Sequence, residues 1–292
     1  MANHPNHPNQ HNPLISFMRQ PKIFIRLPSN GEYWAAGSLT PTETGEYPVY
    51  SMTAKDELML KIPDAVMNGQ AVVEVLQHCM PNIKNAWMVP SIDLDVILIA
   101  IRLATYGEKM TTPINFGDDN DEVEYTVDLR TVMDDLQSQI SWDPIVPIND
   151  NLTVFVQPMT YKQISENALL TFETQKIMQI ANNDNMDEET KLSAFKESFN
   201  KLTEVTIGMV QSGIYRVDSS EGTTDNPGFI KEFVDNVDKD IFNAVQNHLE
   251  KLKEKNSIKP LRIAVTEDMR QKGFRGEFAE VPLVFDPATF FA

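Results

Sequence analysis

Few residues in this chain have side chains suited to catalysis, and they form no recognisable catalytic motif. Three of the five histidines fall in the N-terminal stretch, which leaves His78 and His248, and the single cysteine is Cys79. Neighbours on a helix point about 100° apart, so His78 and Cys79 would not face each other, and a buried, unreactive thiol is expected. His248 follows Val245 on an apolar stripe, which predicts a hydrogen-bonded histidine at the edge of a core.

Acidic pairs are abundant, but in so acidic a chain they carry little information. Asp93 and Asp95 are two residues apart and would not share one face of a helix, and the pair Asp134 and Asp135 is no more specific. A glycosidase acid/base pair leaves no local motif, so a cytoplasmic carboxylate-dependent hydrolase stays open as a distant alternative. The run GDDNDEVEYTVD at 117–128 lacks the glycine and the terminal glutamate of a calcium loop, so it predicts a solvated acidic loop that leads into a strand.

We expect neither a cofactor nor a metal site. The tail histidines His4, His7 and His11 could bind a metal adventitiously, but a low-complexity segment does not pre-form a ligand set. The sequence contains no Gly-x-Ser-x-Gly elbow, no His-Glu-x-x-His pair and no Walker loop.

The net charge of −17 argues against nucleic acid and anionic membranes as partners. A basic protein surface is the better electrostatic match, although solubility alone also accounts for such a charge. One cysteine excludes an intrachain disulfide and fits a reducing cytoplasm. No apolar segment follows Met1, and the apolar run 96–104 is far shorter than the roughly 20 residues of a membrane span. We therefore expect a soluble intracellular protein.

The pattern of apolar residues and turns predicts an α+β fold that is mostly helical, with short antiparallel strands near the N-terminal, middle and C-terminal segments. Strands are predicted at 22–27, 46–51, 152–157, 261–265 and 277–285. Pro63 suits the first turn of a helix that runs to about Cys79, with Gly69 weakening its middle. A nearly all-apolar helix from Ile92 to Tyr106, capped by Ser91 and stopped by Gly107, should lie at the centre of a domain.

Composition divides the chain into five segments. They are a disordered Asn/His/Pro tail at 1–20, a strand-plus-helix core domain at 21–112, an acidic loop and β segment at 113–160, a helical region at 161–256 and a C-terminal β segment at 257–292.

Two strand-to-helix junctions resemble each other, MTAK at 52–55 and MTYK at 159–162. Thr53 is a plausible N-cap, and Thr160 with Gln163 forms a capping box. The repetition is either an internal duplication or recurrent capping chemistry.

Apolar stripes run along the helical region and predict core-facing surfaces, although the edge of one could serve as a partner groove. One stripe consists of Leu192, Phe195, Phe199, Leu202 and Met209, and a second recurs every four residues from Phe229 through Val237 to Leu249.

A long co-linear series of Pro, Gly and capping residues runs through the chain. It comprises GEYPVY at 45–50, MTAKDEL at 52–58, KIPDA at 61–65, NG at 68–69, PNIK at 81–84, PSIDLD at 90–95, IAIR at 99–102, ATYG at 104–107, PMTYK at 158–162, PLVFDP at 282–287 and FF at 290–291. The series resembles the baseplate hub assembly proteins of T-even-type contractile-tailed phages. Relatives in that family often carry Cys-x-x-Cys pairs where this chain, at 108–128 and 261–281, has no cysteine, so metal binding is not carried over.

The resemblance implies a non-enzymatic role as a scaffold, chaperone or component of the hub, with other phage tail and hub proteins as partners. It implies a location in the host bacterial cytoplasm during assembly, and the alternative is a permanent structural component of the virion's tail baseplate. Stoichiometry and oligomeric state stay open.

The closing residues Asp286, Pro287, Phe290 and Phe291 are the candidate protein-interaction residues. The two phenylalanines could enter a partner's pocket as anchors, or pack on their own domain. We predict that deleting residues 287–292 leaves folding intact and abolishes hub formation.

Overall fold

The computed structural model describes Leu14 and residues 17–116, 121–181, 188–271, 274–281, 283 and 290–291. Within these ranges the fold is α+β, as predicted, with 52% of the residues in helices and short antiparallel strands in several small sheets. The strands are β1 Pro21–Arg26, β2 Glu46–Tyr50, β3 Lys109–Phe116, β4 Asp121–Asp128, β5 Ile145–Asn149, β6 Leu152–Val156, β7 Ile214–Ser219, β8 Gly222–Thr224, β9 Leu261–Ala264 and β10 Phe278–Val281. The helices are α1 Ala54–Leu60, α2 Pro63–Met67, α3 Gln70–Cys79, α4 Ser91–Tyr106, α5 Leu129–Gln139, α6 Tyr161–Ala181, α7 Glu188–Gly213, α8 Pro227–Asn236, α9 Lys239–Asn256 and α10 Glu267–Gln271, with a 3-10 turn at Ala86–Met88.

The sheets are small and antiparallel. β1 pairs with β2, β3 with β4, and β9 with β10, while β5, β6, β7 and β8 form a four-stranded sheet in that order. The predicted strands at 22–27, 46–51, 152–157 and 261–265 are confirmed to within one residue at each end.

The main hydrophobic core is built around α4, whose sequence is apolar on nearly every face and therefore needs cover on all sides. Twelve of its sixteen residues are buried, which confirms the predicted central helix. β1, β2, α3, α5 and α6 pack against it. Gly107 ends the helix with a φ of +90°, as expected of a glycine stop. The predicted cap at Ser91 is wrong, because Pro90 occupies the cap position and Ser91 is already helical.

Gly69 divides the predicted helix Pro63–Cys79 into α2 and α3. Its φ of +78° lies in the left-handed region, which breaks the helical hydrogen-bond ladder. A Cβ at this position would lie 2.8 Å from the Ser165 hydroxyl oxygen, so there is no room for a larger residue. The Asn68 side-chain oxygen accepts the Gln70 amide at 3.0 Å and starts the new helix.

A second core lies between the four-stranded sheet and helices α7, α8 and α9, and a third, smaller one lies between β9, β10 and α10. The predicted helical region 161–256 is interrupted by β7 and β8, because β7 pairs along β6 inside the sheet. The second apolar stripe is also broken: α8 ends at Asn236, and Asp238, in extended conformation, precedes α9.

Three elements in or beside the segment 113–160, namely β3, α5 and β5, had no counterpart in the predictions. β3 pairs with β4 over the whole length of both strands, and α5 packs on the main core through Leu129, Val132, Met133 and Leu136. The five-segment division itself stays a prediction, because Tyr161 and Phe290–Phe291 belong to the main core although they lie in later segments. Most of the tail 1–20 lies outside the described residues.

Candidate protein-interaction sites

Phe290 and Phe291 lie inside the main core of their own chain. Their exposed fractions are 3% and 6%, and the two rings meet edge to face with centroids 5.0 Å apart. This arrangement corresponds to the second of the two alternatives left open by the sequence, packing on the parent domain. The other candidates, Asp286 and Pro287, lie outside the described residues.

Arg102 and Tyr106 of α4 form the surroundings of these two phenylalanines. The Arg102 guanidinium donates to the Phe290 carbonyl oxygen and lies 5.2 Å from the ring centroids of both Tyr106 and Phe290. The Tyr106 hydroxyl lies 3.0 Å from the Phe291 carbonyl oxygen and 3.1 Å from the Glu57 carboxylate of α1. We call Arg102, Tyr106 and Glu57 the Phe–Phe socket.

Burial sets the electrostatics of this socket. Burial lowers the pKa of the Arg102 guanidinium, and burial together with the nearby Glu57 carboxylate raises the pKa of the Tyr106 hydroxyl. Both groups keep their protons at neutral pH, so both can donate hydrogen bonds to carbonyl oxygens. The sequence held one signal of this site, the single charged residue Arg102 within the apolar run 96–104.

The helices α6 and α7 are joined by only six residues, 182–187, so they run antiparallel and pack against each other. Thr174 of α6 and Ser198 of α7 are buried, at 1% and 0% exposure. Five large apolar side chains of the two helices are solvent-exposed: Leu169, Leu170, Phe172, Leu192 and Phe199 are between 37% and 67% exposed. The prediction that Leu192 and Phe199 face a core is therefore wrong, whereas Phe195, Leu202 and Met209 of the same stripe are half-buried.

Asp93 is fully buried and holds the loop between β1 and β2 against α4. Its carboxylate accepts the Ser29 amide at 2.8 Å, the Ser29 hydroxyl at 2.5 Å and the Trp34 indole N–H at 2.8 Å. Burial raises its pKa to about 6, against the opposing effect of these hydrogen bonds. Burial also raises the pKa of Asp95 to about 6. Since both Asp93 oxygens accept hydrogen bonds from the loop between β1 and β2, this carboxylate holds the loop in position on α4.

Asp56, His78 and Arg19 form a polar cluster at the start of α1. The buried Asp56 carboxylate lies 2.7 Å from His78 Nδ1, and the Arg19 guanidinium donates to the carbonyl oxygens of Ser51 and His78 at 2.7 and 2.6 Å. Hydrogen bonds from His78 and Thr53 outweigh burial and hold the Asp56 pKa below its usual value.

The other residues considered for catalysis are Cys79, His248, Asp134 and Asp135. Cys79 is buried, as predicted, and burial raises the pKa of its thiol to about 12. A thiolate nucleophile is therefore not available at neutral pH. His248 is partly buried and its Nε2 lies 2.9 Å from the Asp143 carbonyl oxygen, which confirms a satisfied boundary histidine. Asp134 and Asp135 are solvent-exposed.

The described residues were compared with the requirements of a metal site and of a glycosidase site. No group of three or more His, Cys, Asp or Glu side chains there is arranged to hold a metal ion. A surface pocket of about 470 Å³ is lined by Gln139, Lys251, Glu254, Lys255 and Lys259, and so offers one carboxylate rather than the pair that a glycosidase needs. Across the same described ranges, no helix is both long and apolar enough to cross a membrane.

Comparison with known proteins gives one match. The family model described as T4 bacteriophage base plate protein matches residues 20–263. No curated protein and no solved structure matches the chain.

Proposed function

The chain belongs to the T4 bacteriophage base plate protein family, and from this premise we propose that it helps to assemble the central hub of the tail baseplate. It acts through contacts with other baseplate proteins, without catalysis, as a scaffold, chaperone or component of the hub. The membership extends over both the main core and the four-stranded sheet, so the proposal concerns the chain as a whole.

The observation that carries this proposal is the outward-facing apolar surface of α6 and α7. Leu192 and Phe199 are seven residues apart and so lie on one side of α7, and Leu169 and Phe172, three apart, lie on one side of α6. Exposed apolar groups of this size commonly mark surfaces that another protein covers. A partner would supply the apolar contacts that these exposed side chains lack.

Charge narrows the class of partner. With 42 acidic against 25 basic residues, the chain repels phosphate backbones and favours protein surfaces with basic groups around an apolar centre. Such partners among the baseplate proteins would be met in the host cytoplasm during assembly.

The test is to replace Leu192 and Phe199 together by serine and to purify the tagged protein from infected cells. We expect loss of the baseplate proteins that co-purify with the wild type, and loss of infectious particles when the variant complements a null mutant. Because both side chains are exposed, the free energy of unfolding should change by less than about 1 kcal/mol.

Phe229→Ser is the matched control, since Phe229 of α8 is 61% exposed against 67% for Phe199. The control should retain its partners. Normal partner binding by the double variant would overturn the assignment of this surface.

Whether the protein is retained in the mature virion can be measured separately. Mass spectrometry of purified particles distinguishes a permanent hub component, which would be detected, from a chaperone, which would be absent.

A further inference from the structure

We infer that the Phe–Phe socket is a recognition site whose ligand is the Phe290–Phe291 segment, and that a second copy of the chain can supply this segment. Copies would then exchange their Phe–Phe segments and associate. The inference rests on the socket alone and is independent of the surface of α6 and α7.

Arg102 is buried at a cost in free energy. It is 8% exposed, and among the described residues it forms no ion pair. Its Nε is buried without a hydrogen-bond partner. A buried cation that lacks a counter-charge is costly, and an apolar residue of similar volume would stabilise the core more. Stability alone therefore does not account for an arginine here.

The socket contacts main-chain carbonyl oxygens and an aromatic ring. Arg102 and Tyr106 contact the carbonyl oxygens of Phe290 and Phe291, and the guanidinium also lies over the Phe290 ring. Carbonyl oxygens and an aromatic ring face are the features that guanidinium and phenol donors recognise in a peptide. The ligand class is therefore a peptide segment with adjacent aromatic residues, which this chain itself carries.

The socket is accessible to a segment from a second copy of the chain. Tyr106 is 42% exposed, and its contact with Glu57 forms the outer wall of the socket, so the site lies at the edge of the main core. β10 ends at Val281, and the nine Cα–Cα steps from there to Phe290 span at most roughly 30 Å. That length suffices to enter a neighbouring copy, and exchanging an identical element between protomers is a low-cost route to association.

The experiment uses two complementary full-length variants. The first, Arg102→Glu with Tyr106→Phe, replaces both hydrogen-bond donors of the socket, and the second, Phe290→Ala with Phe291→Ala, lacks the ligand. Each alone should be monomeric, near 33.1 kDa, whereas their mixture should form a heterodimer of twice that mass in light scattering and native mass spectrometry. A mixture that stays monomeric would overturn the inference.

A variant that carries all four substitutions is the matched control. Mixed with the second variant it should not associate, and a heterodimer in that mixture would place the contact elsewhere and overturn the inference.

A second measurement covers the case in which a variant fails to fold. Phe291 is replaced by the photo-crosslinker p-benzoylphenylalanine in ¹⁵N-labelled and unlabelled copies, which are mixed and irradiated. Cross-links to α4 that join a labelled to an unlabelled peptide are expected. Cross-links confined to peptides of one isotopic composition would contradict exchange.

Discussion

Asp93 shows how a single residue holds distant parts of the chain together. Three donors from the loop between β1 and β2 converge on its two oxygens, so the loop is fastened to the central helix through one carboxylate. An unsatisfied buried donor costs more than a hydrogen bond gains, so all three donors depend on this acceptor.

We expect Asp93→Asn to destabilise the protein by about 1–3 kcal/mol, because the amide places an N–H group opposite one of these donors. The pH dependence should change as well. A folded pKa of about 6 lies above the usual 3.8, so the contribution of Asp93 is complete below pH 4 and is lost as the pH rises to 6. The stability advantage of the wild type over the variant should thus shrink by roughly 2 kcal/mol between pH 4 and pH 6.

Urea unfolding of both proteins between pH 4 and 7 measures this difference. Asp95 titrates in the same window but is present in both proteins, so its effect cancels. An advantage that stays constant with pH would contradict the assignment to Asp93.

Capping boxes define the start of the two helices, α1 and α6, that follow the similar MTAK and MTYK segments. At α1 the Thr53 hydroxyl accepts the Asp56 amide while the Asp56 carboxylate accepts the Thr53 amide at 2.7 Å. At α6 the Gln163 side chain accepts the Thr160 amide at 2.8 Å in the same manner. Shared capping chemistry is thus present at both helix starts, while duplication stays an open alternative.

Thr53→Ala is expected to cost about 1 kcal/mol, because the first turn of α1 loses its cap and the Asp56 carboxylate loses the hydroxyl that donates to it. Thr203→Ala is the matched control, since the Thr203 hydroxyl only bonds back to the Phe199 carbonyl oxygen within α7. Its effect should stay within about 0.5 kcal/mol. Equal effects of the two substitutions in denaturant unfolding would argue against the role of the cap.

For the whole molecule, the main core gathers side chains from both ends of the described chain. Ile25 and Leu27 enter it from the first strand region, and Phe290 and Phe291 enter it from the other end. The two flanking cores hold fewer residues, so the free energy of unfolding depends most on this assembly.

Phe290→Ala should therefore lower the free energy of unfolding by about 3–5 kcal/mol, as expected for truncating a buried phenylalanine. Deletion of residues 287–292 should cost at least as much, which differs from the expectation of intact folding drawn from the sequence. The control Phe24→Ala removes a ring that is 61% exposed and should cost under about 1 kcal/mol. Thermal unfolding of the three variants measures the effect, and an unchanged midpoint for Phe290→Ala would show that its burial adds no stability.

The features that could be predicted from the sequence arise from short stretches of chain. The helix over Ile92–Tyr106 was predictable because a segment that is apolar on every face must be buried, whatever surrounds it. The capping boxes were predictable because both partners lie within four residues, and the family resemblance rested on the order of such local signals.

The long-range contacts and the exposed helix faces were evident only from the tertiary structure, because both depend on which surfaces pack together. Arg102 donates to an acceptor 188 residues away in the sequence, and Asp93 accepts from Ser29, 64 residues away. The periodicity of apolar residues carries no information about contacts at such sequence separations. An apolar stripe shows that one side of a helix differs from the other, but not which side is covered, so the exposure of Leu192 and Phe199 required the packing of α6 and α7 to be known.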